Sequence, residues 1–139
     1  MRLLLDTHVW LWYVEGKTDR FARRLEPLLE GAAIRDEVAV SVISVWEIAQ
    51  LEAAHRIDLA MDVRAWAARA LMFPGLRLTA LSPSIAIEST RLPGQIHRDP
   101  ADRMLIATAR LSGSSIVTSD ERILKYARQG HVRAVDARP

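Results

Sequence analysis

Short unbroken apolar runs alternate along the chain with longer stretches in which apolar residues recur every three or four positions. Leu3-Leu4-Leu5 has the character of a short buried strand that stops at Asp6-Thr7. A helix carrying Val9, Trp10, Trp12 and Tyr13 follows and ends in a turn at Gly16. Phe21, Leu25 and Leu28-Leu29 keep helical spacing, which predicts a second helix over about 19–30. Val38-Ala39-Val40 with Val42 predicts a second buried strand, since a continuous β-branched run suits a strand covered on both faces.

The second half repeats the alternation. Ser44 is expected to open a helix with Val45, Ile48, Ala49 and Leu51 on one side. Another helix starts near Asp62, turns Val63, Trp66, Ala67, Ala70 and Leu71 inward, and stops before Pro74-Gly75. Leu76 to Leu81 is a weaker strand. Ser82-Pro83 starts a helix with Ser at the cap and Pro in the first turn, ending near Pro93-Gly94. Asp99-Pro100 begins a helix over Ala101 to Leu111, closed by Gly113. Ser115-Ile116-Val117-Thr118 forms a strand that meets Asp120, residues 120–128 a helix ended by Gly130, and Val132 to Val135 a last strand. Strands separated by helices predict an α/β fold with a mostly parallel sheet. The length of 139 residues is that of one domain, 1–139, able to bury a core without disulfide or structural metal.

Composition narrows the chemistry. With no cysteine, disulfide scaffolds, thiolate zinc sites and cysteine nucleophiles are excluded together, and a reducing compartment is expected. The net charge is only +2 although the pI is about 9.5, because the basic set is 17 Arg and 2 Lys and little titrates between neutrality and pH 9. Nucleic-acid binding would therefore come from local patches and not from a global field. The opening Met1-Arg2-Leu3-Leu4-Leu5 is interrupted by Asp6 and His8, too early for a signal-peptide core, and no apolar run approaches a membrane span. A soluble, cytoplasmic protein is expected.

The acids carry the functional signal. Asp6 follows the first strand, Glu47 lies early in the helix after the second, Asp99 and Asp102 bracket a helix start, and Asp120 follows the strand ending at Thr118. In an open parallel sheet, ligands bind outside the carboxyl ends of the strands. Asp6, Glu47 and Asp120 should share that edge, joined by Asp102 if its helix begins over it. Each acid alone also has a structural use. Ser44-Val45-Trp46-Glu47 has the form of a capping box, Asp99-Pro100-Ala101-Asp102 offers an Asp cap, and Asp120 could cap its own helix. Asp6 shows no evident cap role. Together the carboxylates repel one another, and a cluster that dense is usually neutralised by a cation. Carboxylate oxygen without Cys or paired His favours Mg²⁺ or Mn²⁺. His8, His55, His97 and His131 form no metal-binding pair, and no phosphate loop or serine-nucleophile elbow is present.

Four segments carry a family likeness. Leu4-Leu5-Asp6-Thr7-His8, Ser41-x-x-Ser44-x-x-Glu47-Ile48, Asp99-Pro100-Ala101-Asp102-Arg103 with the helix that continues to Ala109, and Val117-Thr118-Ser119-Asp120 resemble the PIN-domain ribonucleases. The similarity is greatest to the VapC toxins of bacterial toxin–antitoxin pairs. It covers essentially the whole chain in motif order. The resemblance implies a three-layer α/β/α sandwich with a central mostly parallel sheet, and a Mg²⁺- or Mn²⁺-dependent endoribonuclease held in check by an antitoxin. Asp6, Glu47, Asp102 and Asp120 match the family's acidic quartet and Asp99 its additional acid. Either Asp99 or Asp102 would touch the metal. Thr118 matches a position whose hydroxyl often supports the last Asp.

The expected chemistry is metal-assisted hydrolysis, with Glu47 or Asp120 taking the proton of the attacking water. Arg98, Arg103 and Arg122 flank the acids as candidate contacts to RNA phosphates, with salt bridges to those same acids as the alternative. Trp10 and Trp12 lie two apart and cannot share a helix face, so an exposed aromatic at an antitoxin groove or a homodimer face is expected beside a core role for the others. Two rival readings remain. One is a catalytically silent PIN-like RNA-binding or scaffold module. The other is a receiver-type phosphotransfer domain, for which neither Lys17 nor Lys125 is well placed.

Overall fold

Strand burial follows from sequence composition and sets the layers. In the computed structural model, which describes residues 1–139, β1 (Leu3–Leu5) is buried at every position and lies at the centre of a five-stranded sheet. It is flanked by β2 (Val38–Ser41) on one side and β4 (Ser115–Thr118) on the other, with β3 (Leu76–Thr79) and β5 (Arg133–Asp136) at the edges. The order is β3-β2-β1-β4-β5, and all four pairings are parallel. Interior strands of such a sheet are covered on both faces, which is why β1 and β4 are buried at every position without alternation.

Seven helices connect the strands: α1 (Thr7–Val14), α2 (Leu25–Ile34), α3 (Val42–Ala53), α4 (Val63–Ala70), α5 (Pro83–Glu88), α6 (Pro100–Ser112) and α7 (Glu121–Arg128). Leu3, Leu5, Val38, Val40 and Val117 pack against Val9 and Trp10 of α1, Leu25 and Leu29 of α2, Ile48 of α3, and Trp66 of α4. Leu4 and Ile116 turn the other way, onto Ile85 of α5, Leu105 and Ile106 of α6, and Ile123 and Tyr126 of α7. Side chains alternate across the sheet, so one triple-leucine strand feeds both cores. This is the expected three-layer α/β/α sandwich.

Two predicted helix starts move. Residues 18–20 form only a single 3-10 turn, and Phe21 is extended, so the helix expected over 19–30 begins at Leu25 and runs to Ile34. Pro27 explains this: its ring is tolerated in the first turn of a helix and would clash with the preceding turn in an interior. The third helix opens at Val42, not at Ser44, because Ser41 at the end of β2 is its cap and accepts from the Ile43 amide at 3.0 Å. The later elements agree with expectation to within a few residues, except that the helix expected to end near Pro93-Gly94 stops at Glu88. Gly113 closes α6 in the left-handed conformation (φ 66°), and Gly75 (φ 79°) is required for a second reason: a Cβ there would lie 2.2 Å from the Ala33 carbonyl oxygen. No helix is long and apolar enough to cross a membrane.

Candidate active site

Strand order reverses between β1 and β4, and in open α/β sheets such a switch point is where ligands sit. Asp6 and Thr118 end these two strands, and they meet there. The Asp6 amide donates to the Val117 carbonyl at 3.0 Å, and the Thr118 hydroxyl donates to Asp6 Oδ2 at 2.5 Å. Asp6 also caps α1, accepting from the Thr7 amide at 2.8 Å, so it does hold the cap role that its sequence context did not suggest. The Thr118 oxygen in turn accepts from the Asp120 amide at 3.0 Å. Its hydroxyl proton therefore supports the first acid and its oxygen the backbone of the last.

Glu47 is freed from capping by the shift in helix start. Ser41 caps α3, and Ser44 lies inside it, fully buried, with its oxygen 2.9 Å from Thr7 Oγ1. The capping box expected from Ser44 to Glu47 is absent. Glu47 instead accepts from the Thr7 hydroxyl at 2.5 Å. Thr7 is the residue that sequence reasoning missed. Its one signal was its place directly after Asp6 at a strand end, where a short hydroxyl can reach across to a neighbouring helix.

The two remaining helix starts bring the other acids. Asp99 is the cap of α6, as expected, accepting from the Asp102 amide at 2.9 Å. Asp102 is buried, and its Oδ2 lies 2.6 Å from His97 Nε2 and 3.6 Å from Arg122 Nη2. Asp120 caps α7 through the amides of Arg122 (2.7 Å) and Ile123 (3.4 Å) and pairs with the Arg122 guanidinium at 3.2 Å.

The electrostatics separate these acids. Burial is the largest influence on Glu47 and pushes its carboxyl up to about 7, with the Thr7 bond opposing and the Asp6, Asp102 and Asp99 charges adding. Burial likewise raises Asp102 to about 6 against the His97 contact, helped by Asp6, Asp99 and Asp120. Asp6 is raised by burial despite its two hydrogen bonds. Asp120 goes the other way: partial burial is outweighed by the Arg122 side-chain and backbone bonds, and its carboxyl lies below the ordinary range. Like charge has been gathered into a dry corner, which is where functional groups are tuned.

As the side chains stand, no three His, Asp or Glu groups form a ligand set for an ion. The donor chemistry, oxygen-rich and without thiolate, is that of a hard divalent cation. A cleft of about 340 Å³ lined by Gln95, His97, Arg122 and Lys125, among others, adjoins the acids.

The flanking arginines divide. Arg103 Nε donates to the Ser89 carbonyl at 2.8 Å, tying α6 to the end of α5. Arg122 is engaged with the acids themselves, and Arg98 is exposed. Among the tryptophans, Trp10 and Trp66 pack edge to face in the core, Trp12 is half-buried beside His8, and Trp46, adjoining Glu47 in sequence, is 50% exposed.

Comparison with known proteins agrees with this architecture. The PIN domain family model matches residues 3–129. Ribonuclease VapC22 of Mycobacterium tuberculosis is 36% identical over 124 residues, covering 89% of this chain and 91% of that protein. Among solved structures, VapBC2 from Rickettsia felis bound to a promoter DNA fragment superposes with a TM-score of 0.70 at 16% identity, covering 99% of both chains. DNA-bound VapBC from Salmonella typhimurium gives 0.68 at 18%, covering 98% of both. With the sheet order, the acids at its switch point and a matched span of this extent, the chain belongs to the PIN-domain family, among its VapC members.

Proposed function

We propose that the protein is a Mg²⁺- or Mn²⁺-dependent endoribonuclease acting in the cytoplasm as the toxin of a toxin–antitoxin pair, with a protein antitoxin as partner and a homodimer as its assembly. The observation that carries the catalytic part is the convergence of Asp6, Glu47, Asp102 and Asp120 at the switch point, three of them raised by burial. Kinship to a VapC ribonuclease and the likeness to VapBC complexes support the RNA substrate and the antitoxin.

Asp6, Glu47, Asp102 and Asp120 would hold the cation, with Asp99 as the alternative or additional ligand to Asp102. A divalent ion bound there supplies acidification of water and neutralisation of charge on the scissile phosphate. Thr7 and Thr118 orient Glu47 and Asp6 by their hydroxyls. Of the two acids that could stay off the ion, Glu47 would be the better acceptor for the water's proton, because it carries a single hydrogen bond from the chain while both oxygens of Asp120 are committed to α7 and Arg122. Arg122 would hold the RNA backbone, with exposed Arg98 as a second contact. Arg103 is a weaker candidate, given its bond to Ser89. Hydrolysis by water does not use the RNA 2′-hydroxyl as nucleophile, so preference for RNA rests on binding.

The test is cleavage of a mixed RNA pool by antitoxin-free protein, with Mn²⁺ and with chelator, for wild type and Asp6→Asn. Cutting that needs Mn²⁺ and falls at least about a hundredfold in the variant is the expected result. RNA retention without cutting, across structured and unstructured RNAs, would overturn it in favour of a silent RNA-binding module.

A further inference from the structure

The loop before α6 is fastened at several points. Tyr126 donates its hydroxyl to the Pro93 carbonyl at 2.5 Å. Gln95 and Gln129 exchange hydrogen bonds, amide to side chain at 3.3 Å and side chain to carbonyl at 3.1 Å. Gly94 takes φ +70°, and a Cβ there would lie 2.7 Å from Gln129 and His131 atoms. This loop delivers one side chain to the acids, His97.

His97 Nε2 lies 2.6 Å from Asp102 Oδ2, and its other ring nitrogen, Nδ1, is buried with no partner. A neutral imidazole has one donor and one acceptor nitrogen. Once the carboxylate takes the donor, Nδ1 is left as a bare buried acceptor, an arrangement that folded proteins generally avoid. An apolar side chain would pack the same space without that orphan. The polar contact at Nε2 is thus the reason for a histidine here. Asp102 occupies the third position of α6, where an acid commonly reaches back to the cap. Asp99 caps the helix alone, and the Asp102 carboxylate is turned to His97 instead. His97 and Arg122 both lie on its Oδ2, leaving Oδ1 without a donor from the chain.

We infer that His97 is a positioning residue: by holding Oδ2, it fixes the rotation of Asp102 so that Oδ1 is presented to a divalent cation in the acid cluster. This rests on the metal-dependent reading of that cluster. Partners that orient metal-binding side chains typically change affinity about 10–100-fold when removed.

The experiment titrates Mn²⁺ into metal-free wild type, His97→Leu and His97→Gln, following free Mn²⁺ by its paramagnetic resonance signal, with RNA cleavage measured on the same samples. Glutamine puts an amide nitrogen where Nε2 stands; leucine fills the space without a donor. The expected result is Mn²⁺ affinity weakened about 10–100-fold in His97→Leu and restored to within about threefold of wild type in His97→Gln. Equal affinity in wild type and His97→Leu would overturn the inference. So would equal weakening in both variants when both melt near wild type, since the donated bond would then not matter. If wild type binds Mn²⁺ and cuts RNA in these cases, only the role of His97 falls. If wild type neither binds Mn²⁺ nor cuts, the metal-dependent reading falls and this inference with it.

Discussion

At the amino ends of the strands, Glu37 meets the N-terminal amine and Arg35, each at 3.1 Å, in solvent. Its carboxyl lies below the ordinary range because of the Arg35 and N-terminal hydrogen bonds. At the carboxyl ends, Asp6, Glu47 and Asp102 are withdrawn from water, face one another, and are raised. Only Asp120, with Arg122 beside it, behaves like the acids of the opposite edge. The same sheet thus pairs opposite charge at one end and concentrates like charge at the other. Exposed pairs are worth little and tolerate change, whereas a buried like-charged group opposes folding until a cation or protons join it. The difference is that charge pairing supports the fold at the amino edge, whereas burial of like charge works against it at the acid edge.

The comparison is broken most severely by Asp102→Asn. RNA cleavage should fall at least about a hundredfold, while the melting temperature of metal-free protein rises by about 2–5 °C, because a repelled charge has gone. A clear drop in melting temperature, followed by circular dichroism, would mean that the His97 and Arg122 contacts outweigh repulsion. Added Mn²⁺ should raise the melting temperature of wild type more than that of the variant.

Changing pH sharpens the same contrast. Glu47 goes from an ordinary 4.5 to about 7 and Asp102 from 3.8 to about 6 in the fold. Between those limits the folded protein binds more protons than the unfolded chain, so stability falls as pH rises. Metal-free protein should melt highest near pH 5 and lose stability towards pH 7. Saturating Mn²⁺, which prefers the ionised carboxylates, should flatten or reverse that slope. Thermal melts from pH 5 to 8 with and without the ion measure both curves; a metal-free melting temperature that rises with pH would contradict the assignment.

The smallest effect belongs to the amino edge. Glu37→Gln removes an exposed pair, so the melting temperature should move by no more than about 2 °C and RNA cleavage should stay unchanged. A shift as large as that of Asp102→Asn would erase the distinction between the two ends.

Much of this arrangement was legible from local spacing. The β-branched and leucine runs gave the strands, Pro and Gly punctuated the helices, and the Asp99 and Asp120 caps follow from residues two or three positions away. Local patterns misled where two acceptable caps competed. Ser44 with Glu47 has the form of a capping box, yet Ser41 took the cap, since β2 ends there and its hydroxyl reaches the Ile43 amide. Nothing local showed that Asp6 is both a helix cap and a partner of Thr118, or that His97 would turn to Asp102.

By itself the sequence pattern determined an α/β fold with a mostly parallel sheet, which residues lie near strand ends and helix starts, and that acids fall at these points, while the family resemblance added the three-layer sandwich. Tertiary structure alone decided which distant partners Glu47 and Asp6 meet. Glu47 is bonded to Thr7, 40 residues away, and Asp6 to Thr118, 112 residues away. Helical and strand periodicities encode contacts between near neighbours. Contacts between strand ends depend on the order β3-β2-β1-β4-β5, which places the first and fourth strands side by side. The burial that lifts Glu47, Asp102 and Asp6 arises from that same packing, because a carboxyl loses its water only when elements distant in the chain close over it.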